Sequence, residues 1–583
     1  GADHLAIAKN IQNQIDNLNK IQKDYKIKLA SPFEYFEQIT ERNNACGEFL
    51  DNSLNFILPG VYSSRLYIKQ ANTISQWLLT NIAEPLQALS RFYFNTKNRQ
   101  NEINYAYKTL IKNHAHDSIY GCSIDEVHRD VMRRFSNVQS VANGIIKRAC
   151  RDVTTENGKL SVFNLSNYSY SGKIKIKTEQ KLPSYMNALK ISSSKGFSDK
   201  KLYDTNDIPV TEDITDIKEY IIDVKDLPAF SLTGITKKHI CDKCSLKAGE
   251  NIIENEFLKL ETINGQIIVT DKIKNERYTD FITITDAADI GDSYNFGGLK
   301  GDKPIKAKLT GVKLKENNIQ RVVSELKYEI NIPETSASKG RSKRTYKHTI
   351  KISAIFYNQS KYIEFEADWN NRSKNHILKI GFNLKDKIYE TVNEDMFGTV
   401  KRQFNSDYEI YKDIPAKRGT ELKPNTSPMQ RFMQTQNFAL FSMGNCEYEI
   451  NKNRVNLTLL RATGIISNPK NPARGTPAGP PLEVKMLQSI GKNRACFAVA
   501  FTNDETNLFK YADEYCMPFV VVFTDKPDTR FFDFKNENII VYSVKSSDSG
   551  LSLRCFNRSE ENQNTKNNIV FKPKEIKNIV IKS

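Results

Sequence analysis

Residues 123–164 read SIDEVHRDVMRRFSNVQSVANGIIKRACRDVTTENGKLSVFN, and the chain changes period within them. In the first part Ile124, Val127, Val131, Phe135, Val138, Ala142, Ile145 and Ala149 recur at helical spacing, which predicts one long helix with a single apolar stripe. Ser123 with Glu126 three positions on has the pattern of a capping box, which would satisfy the first free amides of that helix. Past residue 155 the helical spacing ends, and Leu160-Ser-Val162 opens the first run with a period of two.

Upstream, two further segments keep the helical period, Leu66, Ile74, Leu78 and Ile82 in one and Ile103, Tyr107, Leu110 and Ile111 in the other. Three helices with short connections predict an antiparallel bundle. Downstream, Tyr346, His348, Ile350, Ile352, Ala354 and Phe356 alternate with polar residues, Asn358–Lys361 turns the chain, and Ile363, Phe365, Ala367 and Trp369 alternate again. Such strands continue to Ile579–Lys582, about 430 residues of all-β character and too much for one small sandwich. Residues 1–40 fit neither half: Ile11–Leu18 reads as a helix, Tyr25–Leu29 as a strand and Pro32–Phe36 as a second helix. That α/β alternation is too short to close a sheet and reads as the tail of a larger domain.

The fold class is therefore multidomain α + β, a three-helix bundle followed by large antiparallel β-sandwich domains. The expected divisions are 1–40 as an α/β remnant, 41–153 as the bundle, 154–245 as a small sandwich, 246–490 as a large supersandwich and 491–583 as a C-terminal β-domain.

Composition excludes several function classes. With 39% hydrophobic and 26% charged residues over 583 positions, and no apolar run near the roughly 18 residues a membrane span needs, nothing reads as crossing a bilayer. The net charge of +17 is spread along the chain with Asp and Glu interspersed, which is not the clustered footprint of a nucleic-acid binder. Nine cysteines, an odd number dispersed from Cys46 to Cys555, point to a reducing cytoplasm. His239-Ile-Cys241-Asp-Lys-Cys244 has half of a zinc-ribbon spacing but no second half, and a turn is the simpler reading. The chain opens on Gly1 with no signal peptide after it, so the natural start is expected to lie upstream. Homo-oligomerisation is left open.

The residues that carry chemistry cluster ahead of the long helix. Three of the seven histidines fall between 114 and 128, in NHAHDSIYGCSIDEVH. His114 and His116, two apart, would face different ways on a helix, so they belong to a loop or irregular turn. Asp117 beside His116 suits either the orienting of an imidazole or the acceptance of hydrogen bonds from sugar hydroxyls. Packing at the end of the bundle is the alternative for both histidines.

This run, NHAHDSIYGCSIDEVHRDVMRRF, resembles the metal-site segment of glycoside hydrolase family 38, the zinc-dependent α-mannosidases, in its bacterial branch. LPGVYSSRLYIKQAN at 58–72, GDSYNFGG at 291–298, ADWNNRSKNHILKIGF at 367–382, and LTLLRATG followed by PARGTPAGP agree in the same order. The resemblance implies a catalytic α/β domain, most of it N-terminal to these residues, then the bundle and the β-domains. It implies His116 as a Zn2+ ligand, the others being expected in that catalytic domain, and Asp117 as a contact to mannose hydroxyls. Tyr294 and Arg474 would reach the sugar from β-domain loops. His114 and His128 receive packing or orienting roles. The acid/base residue would lie in CGEFLDNSLNFILPG, where Glu48 and Asp51 both remain candidates. The implied chemistry is retaining hydrolysis of α-mannosides, or of mannosylglycerate or its phosphorylated form, with a carboxylate nucleophile supplied by the catalytic domain. Residues 1–583 alone are then expected to be inactive. The contrasting expectation is a non-catalytic sandwich that binds carbohydrate or a partner subunit.

Overall fold

A computed structural model describes residues 6, 8–39, 48, 56–155, 157–197, 214–241, 244–405, 416–417, 419–516, 519–547, 549–566 and 568–582. The chain divides into two compact units, Gly1–Leu50 and Asp51–Ser583.

The first unit holds helices α1 (Ile11–Ile21) and α2 (Pro32–Glu37). The second begins at a complete capping box, in which Ser31 Oγ accepts from the Glu34 amide and Glu34 Oε2 accepts from the Ser31 amide at 2.7 Å, with Pro32 in the first turn. Tyr25–Leu29, read from sequence as a strand, is irregular. Among the described residues no strand of this unit pairs with it, and the Ile27 amide and carbonyl are taken instead by the Asn19 side chain at 2.8 and 2.7 Å.

The second unit opens with the bundle. Helix α3 (Leu66–Trp77) passes through a π-helical turn, Leu78–Ala83, into α4 (Glu84–Phe94); α5 (Gln100–Ile111), the single turn α6 (His116–Tyr120) and α7 (Asp125–Val153) follow. The stripe on α7 is buried from Val131 through Phe135, Val138, Ala142 and Ile145, against Ile68, Leu79, Ile103, Ala106 and Leu110. Two details of the sequence reading change. Ile74 is exposed and α3 instead buries Ile68, Ala71 and Ser75, because the wider turn at 78–83 rotates the apolar face between α3 and α4. The Ser123–Glu126 capping box does not form: Ile124 caps α7 without a side-chain bond, and Glu126 pairs outward with Arg129 at 2.9 Å.

A nine-stranded antiparallel sheet and a six-stranded one face each other to make the main core. The hairpin read from sequence is there, Thr345–Tyr357 paired with Tyr362–Asn371 in a register that puts Ile350 opposite Trp369 and Ala354 opposite Phe365. Ile350, Ile352, Ala354 and Phe356 all point into the core, where Phe365, Phe382, Phe497 and Leu457 meet them. The division at 490 is corrected: Gly491–Ala500 lies inside the nine-stranded sheet, between Tyr362–Asn371 and Phe438–Ser442. The division at 245 is incomplete for the same reason, since Phe519–Thr524 pairs with Lys159–Asn164. Alternation marks a strand but not its partner, and these partners lie far along the chain. A C-terminal sheet of Ile539–Ser547, Gly550–Asn557 and Ile576–Ile581 packs Val541, Leu551 and Leu553 against Leu86 and Leu89 of α4.

Phe135 sits at the centre of the bundle with no exposed surface. Phe135→Ala is expected to cost about 3–5 kcal/mol, read as a shift of the chemical denaturation midpoint at constant slope. A loss below about 1 kcal/mol would place the core elsewhere.

Candidate functional site

The site is built where the chain enters the bundle. Leu58 and Arg65 have left-handed backbones, and between them Pro59–Tyr62 makes one tight turn. Gly60 lies so close to the β-domain that an added Cβ would sit 2.7 Å from both Arg461 Nη1 and the Tyr294 carbonyl oxygen, so only glycine fits. Glu421 accepts from the amides of Ile57 (2.7 Å) and Leu58 (2.9 Å) and from Asn295 Nδ2 (2.6 Å). Arg461, in the strand Arg454–Ala462, is almost wholly buried. It donates to Asp289 Oδ2 (2.8 Å), to the Gly60 carbonyl (2.9 Å) and to the Asn295 carbonyl (2.6 Å), and also to the carbonyl of Asp292.

The loop 289–298 is folded on its own two aspartates. Asp289 Oδ1 accepts from the amides of Gly291 and Gly297, both at 2.9 Å. Asp292 Oδ1 accepts from the amides of Tyr294 and Asn295, and Asp292 Oδ2 pairs with Arg474 Nη2 at 2.7 Å. Arg474 has no exposed side-chain surface. It donates to Asp292, Asn295, the Thr476 carbonyl and Ser467, beneath the Tyr294 ring at 5.8 Å. The guanidinium expected at the sugar therefore lies under the loop, and Tyr294, half-buried, lies above it. Burial, then the Cys122 thiol and the Asp117 carboxylate, hold the Tyr294 phenol above its ordinary range, which keeps it a neutral donor near pH 7.

His116 and Asp117 form the first turn of α6, closed by Gly121 at φ 83. Their side chains are 81% and 54% exposed, with Nε2 and Oδ2 3.6 Å apart. The pair is thus open to a ligand rather than spent on packing. His128 is the opposite case. It is fully buried, and its Nε2 accepts from the Ser123 amide at 3.1 Å, the bond that stands in for the absent capping box. Burial, then the nearby cations of Arg65 and Lys69, push its pKa down to about 3. Asp125, on the same end of α7, accepts from Arg65 Nη2 at 2.8 Å and from the amides of Lys485 and Met486, which ties the turn to the β-domain. Sequence reasoning assigned no role to Arg65, Asp125, Glu421 or Arg461. An arginine inside the apolar strand LTLLRA was the available signal, because such a charge is buried only when paired.

The donors do not amount to a zinc site. Among the described residues no group of three or more His, Cys, Asp or Glu could hold a metal, and His116 with Asp117 offers one imidazole and one carboxylate where zinc takes three or four protein ligands. Cys241 and Cys244 are engaged separately, by Gln359 Nε2 at 3.0 Å and the Ile319 carbonyl at 3.3 Å, while His239 caps its own turn at Thr236. Of the acid/base candidates, Asp51 lies outside the described residues, and Glu48 is exposed and irregular.

A bundle docked on a two-sheet supersandwich, with a polar turn at the join, is the middle and C-terminal architecture of a multidomain glycosidase. Family models match accordingly: the α-mannosidase middle domain over residues 57–153 and the glycosyl hydrolases family 38 C-terminal domain over 253–465. The chain belongs to glycosyl hydrolase family 38. It is similar to a protein of Halalkalibacterium halodurans named "Putative mannosylglycerate hydrolase", 22% identical over 97% of this chain and 70% of that one. Among solved structures, an alpha-mannosidase from Enterococcus faecalis V583 superposes with a TM-score of 0.76 at 21% identity, over 96% of this chain and 70% of that chain. A family 38 protein from Enterococcus faecalis gives 0.73 at 20% identity, over 98% and 76%.

The pKa of His128 gives a pH dependence with a definite sign. Between about pH 3 and its unfolded value near 6.5 the unfolded chain binds a proton that the folded chain refuses, so stability falls as pH drops through that window. His128→Gln is expected to flatten this acid limb, read as the urea midpoint at pH 7 against pH 4.5; an unchanged limb would mean that other groups govern it. Separately, Gly121→Ala forces a left-handed alanine and is expected to cost about 1–2 kcal/mol in thermal or chemical unfolding.

Proposed function

We propose that this chain forms the sugar-facing part of a hydrolase that removes a terminal α-mannosyl group, working with a catalytic domain N-terminal to it. The observation that carries the reading is the pairing of an exposed His116 and Asp117 on a turn held against the Tyr294 loop. Arg461, Arg474, Asp289, Asp292 and Glu421 at the join are buried and hydrogen-bonded, whereas the His116–Asp117 pair is exposed, which favours a ligand-facing role for it. The relatives agree on the sugar, one being named for mannosylglycerate and another for alpha-mannosides. Their shared element is the mannosyl group, and that is the substrate class proposed here.

In this reading Asp117 accepts hydrogen bonds from mannose hydroxyls and Tyr294 supplies a neutral phenol to the same ring. A charged acceptor of this kind contributes about 1.5–3 kcal/mol per hydrogen bond. His116 offers its imidazole as one ligand to the Zn2+ that the family resemblance implies, the remaining ligands and the nucleophile coming from the catalytic domain. Arg474 orients the loop from beneath, and Glu48 and Asp51 remain the candidates for acid/base work. By the same reading the chain is divided into an α/β remnant, the bundle, a small sandwich, a supersandwich that takes in Gly491–Ala500, and a C-terminal β-domain. In the same reading the nine dispersed cysteines suit a reducing cytoplasm.

Residues 1–583 alone are expected to release no mannose from an aryl α-mannoside; zinc-dependent turnover by them would refute the proposal. In the protein that carries the catalytic domain, His116→Ala is expected to lower zinc content and activity together. Asp117→Ala is expected to lower kcat/KM about a hundredfold with zinc content retained, the scale of one lost charge-assisted bond. Full zinc occupancy in His116→Ala would show that this histidine is not a ligand.

A further inference from the structure

Helix α3 carries a polar stripe that the sugar-binding proposal does not use. Lys69 and Asn72, three apart, share one face of the helix, and Arg65, the left-handed residue just before its first turn, reaches to the same side. That face is turned toward the segment carrying the histidine cluster, and each of the three residues grips a different point of it. Arg65 Nε donates to the Gly121 carbonyl (3.2 Å) and Nη2 to the Ser123 carbonyl (3.2 Å) and Asp125 Oδ1 (2.8 Å). Lys69 Nζ donates to the Tyr120 carbonyl at 2.9 Å and to the carbonyl of Ser64. Asn72 Oδ1 meets His114 Nε2 at 2.8 Å. His116 and Asp117 lie between the grip at 114 and the grips at 120–125.

The energetics single out the two cations. Arg65 and Lys69 are buried, and the hydrogen bonds of Lys69 go to backbone carbonyls alone. Burying an ammonium with neutral acceptors is costly, and burial pushes its pKa down to about 8. A helix packed only for stability would carry an apolar residue at that position at lower cost. What the lysine supplies, and an apolar residue could not, is a fixed point for the carbonyl at the end of α6. The approach is close: a Cβ on Gly121 would lie 3.2 Å from the Ser64 carbonyl and 3.3 Å from Arg65 Cβ.

We infer that Arg65, Lys69 and Asn72 are positioning residues, a clamp on α3 that fixes the one-turn helix bearing His116 and Asp117 at the place where it meets the sugar. The inference rests on the reading of that turn as the substrate contact. None of the three residues touches the ligand in this arrangement. Their effect passes through the turn, and a misplacement of about 1 Å there suffices for a hundredfold loss in rate.

The test compares Lys69→Met, which keeps the volume and removes both donated bonds, with Asn72→Leu, a milder change at a more exposed position, and with Asn72→Asp, which restores an acceptor for His114. Chymotrypsin is applied to the full chain under native conditions, and cleavage after Tyr120 in the turn (42% exposed) is compared with cleavage after Tyr105 on α5 (56% exposed), which serves as the internal reference. A rise of about tenfold or more at Tyr120 alone in Lys69→Met and Asn72→Leu, reversed in Asn72→Asp, is expected. Equal acceleration at both sites, or none at Tyr120, overturns the clamp.

The second arm measures kcat and KM on an aryl α-mannoside in the protein with its catalytic domain, with Asp117→Ala alongside. The clamp predicts a lower kcat/KM in Lys69→Met and Asn72→Leu and recovery in Asn72→Asp. Undiminished turnover in those variants while Asp117→Ala is impaired overturns the positioning role. Full activity in Asp117→Ala overturns the sugar-contact reading instead and leaves the proteolysis result to decide the clamp.

Discussion

The buried guanidinium of Arg461 is the constraint on which the site depends. Its four described acceptors come from two separate stretches of chain: Asp289, Asp292 and Asn295 in the loop, and Gly60 at the entrance to the bundle. A charge taken out of water is tolerated only when every donor is satisfied, so these partners hold together as a set. Asp289 in turn accepts from two loop amides, and Glu421 binds both the entrance segment and Asn295. One arginine on a core strand thereby fixes the approach of the helical bundle to the β-domain.

The consequence runs outward from that weld. Because Gly60 is seated against Arg461, the following turn places Ser64 in a parallel bridge with Arg461 itself and delivers Arg65 in a left-handed conformation at the start of α3. From there the α3 face reaches the turn of His116 and Asp117, while Asp125 reaches back to residues 485 and 486. The turn is thus held on one side by the bundle and on the other by the β-domain, and Tyr294 arrives beside it on a loop folded around its own aspartates. Glycines at 60, 291 and 297 mark the places where backbones approach too closely for a side chain, and Gly121 closes α6 in a left-handed conformation. The surface presented to a ligand is small, and nearly all the polar chemistry around it is internal support.

Much of this was legible in the sequence, for identifiable reasons. The stripe from Val131 to Ala149 gave the long helix because one face of it is fully buried, and the hairpin at 345–371 showed because one face of each strand points into the core. The capping box misled because Ser123 and Glu126 fit a pattern whose place the His128 ring takes by folding back onto the Ser123 amide. Ile74 misled because a π-turn shifts the helical face, which spacing alone does not register. The pairing of Gly491–Ala500 with Tyr362–Asn371, more than a hundred residues away, could not be read from alternation. The resemblance pointed to Tyr294 and Arg474, and the packing shows one half-buried above the loop and the other sealed beneath it.

Hydrogen exchange by mass spectrometry on Arg461→Met tests the weld most directly, since the substitution keeps an apolar strand intact and removes every donated bond. The account predicts that amides at 57–65, 116–123 and 289–298 lose protection together, while the hairpin at 345–371 keeps its own. Loss confined to 289–298, with the bundle entrance and the histidine turn still protected, would contradict it.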